Sequence, residues 1–121
     1  MKKLLILFTI LSINTNAEII CREDGSTMEM RACFIDELRF EERILAKALD
    51  KALKSSDWVT EEINQSQDAW IKYRDVHCAA VYAVADGGSI SLISTPSCLV
   101  ILTKERISNI LGSFTRHTDA D

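Results

Sequence analysis

Four cysteines, Cys21, Cys33, Cys78 and Cys98, constrain this 121-residue chain more than any other feature. In a small exported domain an even set of cysteines reads as covalent staples, and a chain so stapled has few ways to fold. Export is written at the start. Met1-Lys2-Lys3, the apolar run Leu4 to Ile13 and the small-residue ending Thr15-Asn16-Ala17 have the three-part form of a secretory signal peptide, residues 1 to 17. The run is shorter than the roughly 20 residues that span a bilayer, so no stable membrane insertion is expected after cleavage. Lipid attachment at Cys21 is disfavoured, because Ile20 stands where a small residue is needed. The expected location is the periplasm or the exterior, where thiols oxidise.

Cleavage leaves residues 18 to 121, which is 104 of the 121 and enough for one domain with one modest core. The removed segment takes Lys2 and Lys3 with it, so 12 basic residues face 18 acidic ones and the net charge is minus 6. This balance argues against nucleic acid, whose binding depends on cationic contacts with phosphates. It favours encounter with a cationic partner.

Four cysteines allow three pairings, and spacing alone does not choose among them. Cys21 with Cys33 and Cys78 with Cys98 is the favoured set, since each closes a short loop containing a turn signal. The signals are Asp24-Gly25-Ser26 and Asp86-Gly87-Gly88-Ser89. A metal reading is poor: there is no CxxC pair, and His77 next to Cys78 cannot point the same way on a helix.

The remaining pattern is helical, and the expected fold is an all-α, small disulfide-stapled bundle of about three main helices. The first opens at Ser26-Thr27-Met28-Glu29, a capping box. Met30, Phe34, Leu38, Leu45, Leu49 and Ala52 give it an apolar face through residue 54. Glu41, Glu42 and Arg43 interrupt that face and read as a solvated patch. Lys54 to Asp57 breaks the chain, and a second helix is expected from Asp57 to Ala85, closed by Gly87 in a left-handed conformation. The third is expected to start with Thr95 as cap and Pro96 as its first residue. It runs to about Ser113 with Val100, Ile107, Ile110, Leu111 and Phe114 inward, and residues 116 to 121 are expected to form a frayed tail.

On the second helix Gln67, Trp70, Arg74 and Cys78 share one face, which must look inward if Cys78 bonds Cys98. An arginine there needs acceptors, for which Glu37 and Glu105 are the candidates. A tryptophan anchor beside an internally satisfied arginine is the structural reading of this cluster.

The string Gln67-x-x-Trp70-x-x-Tyr73-Arg74-Asp75-x-x-Cys78, followed by Gly87-Gly88-Ser89, Cys98, Thr103 and Arg106, resembles the periplasmic LprI-type lysozyme inhibitors. Upstream, Cys21, Thr27, Glu29, Met30 and Cys33 fit the opening of that family, so the likeness runs from Cys21 to Leu111. The chain departs from the family pattern on its first helix, where Glu42 and Ile44-Leu45 replace an aspartate and a leucine-asparagine pair and no tyrosine follows.

The resemblance implies a helical, disulfide-bonded domain without a cofactor, some of whose relatives block lysozyme, the hydrolase that cuts peptidoglycan. A basic lysozyme and an acidic inhibitor would be steered together. Asp86, Gly87, Gly88 and Ser89, in the segment Asp86 to Ser94, are the candidate target-binding loop, held by a Cys78 to Cys98 bridge. Catalysis is not expected. His117 lies in the tail, His77 stands alone on its helix, the cysteines are consumed by disulfides, and neighbouring carboxylates such as Glu61 and Glu62 diverge by about 100 degrees on a helix. The alternatives are an immunity protein against a delivered toxin and a structural envelope-interaction protein, either of which would need the same kind of stable secreted scaffold.

Overall fold

The computed structural model describes residues 21–22 and 24–115, so the signal segment and the tail beyond Thr115 lie outside the described residues. Three long helices account for most of the described chain: α1 (Thr27–Ser55), α2 (Thr60–Val84) and α3 (Ser91–Phe114), with one 3-10 turn at Asp57–Val59 before α2. No strand occurs among the described residues. The fold is an all-α bundle with two disulfides, Cys21–Cys33 and Cys78–Cys98, each with Cα atoms 5.7 Å apart.

Ser26 starts α1 by accepting the Glu29 backbone N–H on its hydroxyl at 3.2 Å, which satisfies one of the donors that a helix start leaves open. At the other end the Ser56 N–H closes the last turn onto the Ala52 carbonyl, and its hydroxyl donates to the Phe114 carbonyl at 2.8 Å. This side chain ties the α1–α2 corner to the end of α3.

Helix α3 is central. Both α1 and α2 pack along it much more extensively than along each other. The core joins Leu45, Ala48 and Ala52 of α1 to Ile110 of α3, flanked by Leu49, Trp70, Ile107 and Phe114. The two alanines let the α1 and α3 backbones approach closely. Ile63, Cys78, Val100 and Thr103 are also buried.

Three expectations need correction. The line that α1 buries is Glu37, Glu41, Leu45, Ala48 and Ala52, not a stripe beginning at Met30; Phe34 and Leu38 are only half-buried. Glu41 is therefore not on a solvated patch. Burial of Glu37 is sustained by Lys104 of α3, whose Nζ lies 2.7 Å from its carboxylate. Second, α3 begins at Ser91, so Pro96 lies inside the helix and Thr95 is not its cap. Proline has no N–H for the Leu92 carbonyl four residues back. Arg31 of α1 donates to that oxygen instead, at 3.3 Å, and α3 continues unbroken. Third, Leu111 is exposed, whereas Val100 and Ile110 face inward.

Candidate functional site

The residues of the sequence motif gather at the junction of α2 with α3. Gln67, Cys78, Thr103 and Arg106 are buried, Trp70 is partly so, and Tyr73 and Asp75 are exposed. Trp70 is the hub: the guanidinium carbons of Arg74 and Arg106 lie 5.2 and 5.9 Å from its ring centre, distances at which a cation is attracted to the face of an indole. Thr103 returns its hydroxyl to the Leu99 carbonyl at 2.7 Å and fills space between the helices without an unmet donor.

Arg106 is the buried arginine of the cluster. Its Nε donates to Gln67 Oε1 at 3.0 Å and its Nη2 to Ser66 Oγ at 2.9 Å. Burial away from water pushes its guanidinium below the ordinary arginine value. Arg74 lies nearer the surface, its side chain 15% exposed, and its partners are neither Glu37 nor Glu105. It pairs with Asp75 at 3.0 Å and with Glu42 of α1 at 3.5 Å, forming a rim contact between α1 and α2. Glu37 is engaged by Lys104 instead. Glu105 is exposed.

The candidate loop is shorter than the segment Asp86 to Ser94, because Ser91 onward is helix. What remains, residues 85 to 90, is exposed from Asp86 to Ile90 yet closely tied. Asp86 and Gly87 have φ of 53° and 68°, two successive left-handed residues that reverse the chain after α2. Backbone N–H groups of Asp86, Gly88 and Ser91 donate to the carbonyls of Ala83, Ala85 and Gly88. The buried Ser91 hydroxyl also donates to the Gly88 carbonyl, at 2.5 Å. The Cys78–Cys98 bridge closes the base of the loop. Val84 and Ile90 stand exposed on either side of it.

Beside the bridge a shallow groove of about 320 Å³ runs between α2 and α3, lined by His77, Val81, Ser94, Ser97, Cys98, Ile101 and Leu102. His77 lies on its rim with its ring 5.5 Å from that of Tyr73. No group of three or more histidine, cysteine or acidic side chains that could hold a metal occurs among the described residues. No described helix is long and apolar enough to cross a membrane. The arrangement offers a rigid, partly apolar surface at one end of the bundle, suited to contact with another macromolecule.

The sequence pattern put Trp70 on the α2 seam but made Arg74 the internal arginine in place of Arg106, and it missed the burial of Glu37 and Glu41. The signal was present: 37, 41, 45, 48 and 52 continue one helical line.

Comparison with known proteins agrees with the geometry. A family model described as Lysozyme inhibitor LprI matches residues 21–109, which include both disulfides, α1, α2 and α3 as far as Asn109. An uncharacterized protein of Rhizobium meliloti (strain 1021) is 30% identical over 104 residues, covering 74% of this chain and 75% of its own length. No solved structure matches the chain significantly.

Proposed function

Since the chain belongs to the LprI lysozyme-inhibitor family, we propose that it is an exported, non-enzymatic binding protein of the periplasm or exterior that blocks a lysozyme or a related peptidoglycan hydrolase. The observation that carries this reading is the family match over both disulfides and most of the bundle, from Cys21 to Asn109 of α3. Two disulfides suit an oxidising compartment, as export requires. An acidic chain meeting a basic hydrolase gains in encounter rate.

The proposed contact is the loop Asp86, Gly87, Gly88 and Ser89 with its flanks Val84 and Ile90. Lysozyme works with two carboxyl groups in a cleft, so an inhibitor has only to occlude that cleft. A loop already held by its own hydrogen bonds and by a disulfide at its base loses little entropy when it is inserted there. Exposed apolar side chains on both sides would supply buried area.

The test is a peptidoglycan-lysis assay with the purified oxidised protein against c-type, g-type and i-type lysozymes. Slowed lysis by at least one type is expected, with Ile90→Asp weakening it and leaving the thermal melt unchanged. If no lysozyme is slowed at micromolar protein, the inhibitor reading is withdrawn.

A further inference from the structure

Helix α2 has a second apolar face, directed away from the bundle. Ala69, Tyr73, Val76, Ala80 and Ala83 recur at steps of four, three, four and three, and all are exposed, Tyr73 at 54% and Val76 at 64%. Gln67 and Cys78, by contrast, are buried on the inner side. An apolar groove of about 580 Å³ follows the outer face, lined by Ala69, Lys72, Tyr73, Val76, His77 and Ala80. A helix apolar on both sides is expected to be covered on both. The seven-residue spacing is the period at which two helices share a common seam.

We infer that this face docks on the same face of a second copy of the chain, with the two α2 helices antiparallel about a twofold axis level with residue 78. In that register Tyr73 of one chain lies level with Ala83 of the second copy, and Val76 lies level with Ala80, so each large side chain meets a small one. Charge agrees with size. Lys72 is six residues from the axis, about 9 Å along a helix, and Asp86 lies just past the end of α2 on the other side, its N–H still donating to the Ala83 carbonyl. This brings Lys72 of each chain towards the end of α2 that carries Asp86 of the other, once at each end of the seam. A parallel pairing would set Tyr73 on Tyr73 and Lys72 beside Lys72, which is worse on both counts.

A basic hydrolase is a poorer occupant of this face. The groove lining holds Lys72 and no carboxylate. Asp75 is engaged by Arg74 at the α1 side of α2, where Arg74 also meets Glu42. The pairing does not rest on the inhibitor reading, although it uses Asp86 of the proposed hydrolase contact, and the association itself is measured without a hydrolase.

Sedimentation equilibrium of the purified, disulfide-bonded protein reads the association directly. The weight-average mass is expected to rise from one chain towards two between roughly 10 µM and 1 mM. Val76→Glu should weaken dimerisation about 30-fold or more, since it places two carboxylates in the seam. Lys72→Glu and Asp86→Lys should each weaken it about fivefold, and the double variant should recover to within about threefold of the wild type. All three positions are exposed, and a melt by circular dichroism checks that each variant is folded. A chain that stays monomeric to about 1 mM, a dimer indifferent to Val76→Glu, or a double variant no better than its parents would overturn the proposal. If the chain is monomeric and Val76→Glu abolishes lysozyme inhibition, the face belongs to the hydrolase instead.

Discussion

Arg31 of α1 donates a hydrogen bond across 3.3 Å to the Leu92 carbonyl of α3, the oxygen that Pro96 leaves without an intrahelical donor. One side chain thereby repairs a backbone defect on a neighbouring helix and fixes how the starts of α1 and α3 meet. Arg31→Ala is expected to cost about 0.5–1 kcal/mol in urea denaturation. In a Pro96→Ala background, where the helix supplies its own donor, the same change should cost measurably less. Equal penalties in the two backgrounds would show that the two sites are not coupled.

The Cys78–Cys98 bridge, with 20 residues of sequence separation, is expected to stabilise the fold by about 3 kcal/mol through the unfolded chain. Replacing both cysteines with serine should lower the melting temperature by about 10–20 °C in calorimetry. An unchanged melt would remove the bridge from any account of stability.

Arg106 depends on Gln67 and Ser66 for its hydrogen bonds. Gln67→Leu should therefore cost about 2–3 kcal/mol, because it leaves a buried guanidinium short of an acceptor. The double variant Gln67→Leu/Arg106→Met should be more stable than Gln67→Leu alone, since it removes the stranded charge and keeps apolar volume beside Trp70. A double variant less stable than the single one would contradict this ordering.

Gly87 and Gly88 are adjacent and are expected to respond differently. At φ of +68°, Gly87→Ala is strained and should cost about 1 kcal/mol. A Cβ on Gly88 would meet only the Ala85 carbonyl oxygen, at an ordinary 3.6 Å, so Gly88→Ala should be nearly neutral. Chemical denaturation of the two variants checks the difference, and equal effects would count against the left-handed turn.

Arg74→Ala should lower stability only modestly, because its partners Glu42 and Asp75 are about half-exposed and solvent screens both pairs. Raising the salt concentration should shrink the difference between wild type and variant. A salt-independent loss above about 2 kcal/mol would place Arg74 in the core instead.

What the sequence determined by itself was local or periodic. Ser26 before a helical pattern marks the start of α1, the double glycine marks the reversal after α2, and four cysteines mark the presence of staples, the turn signals favouring one pairing of three. These features act within a few residues and survive without knowledge of the partner helix. The tertiary structure decided where a polar side chain may be buried and how long α3 is. Glu37 goes inside because Lys104 stands opposite it on α3. Pro96 stays within a helix because Arg31 reaches across to the carbonyl it exposes. Arg106, not Arg74, is the buried guanidinium because Gln67 and Ser66 of α2 accept its hydrogen bonds. Each outcome rests on an acceptor or donor more than thirty residues away in sequence, and the cost of desolvating a polar group depends on whether that partner is present.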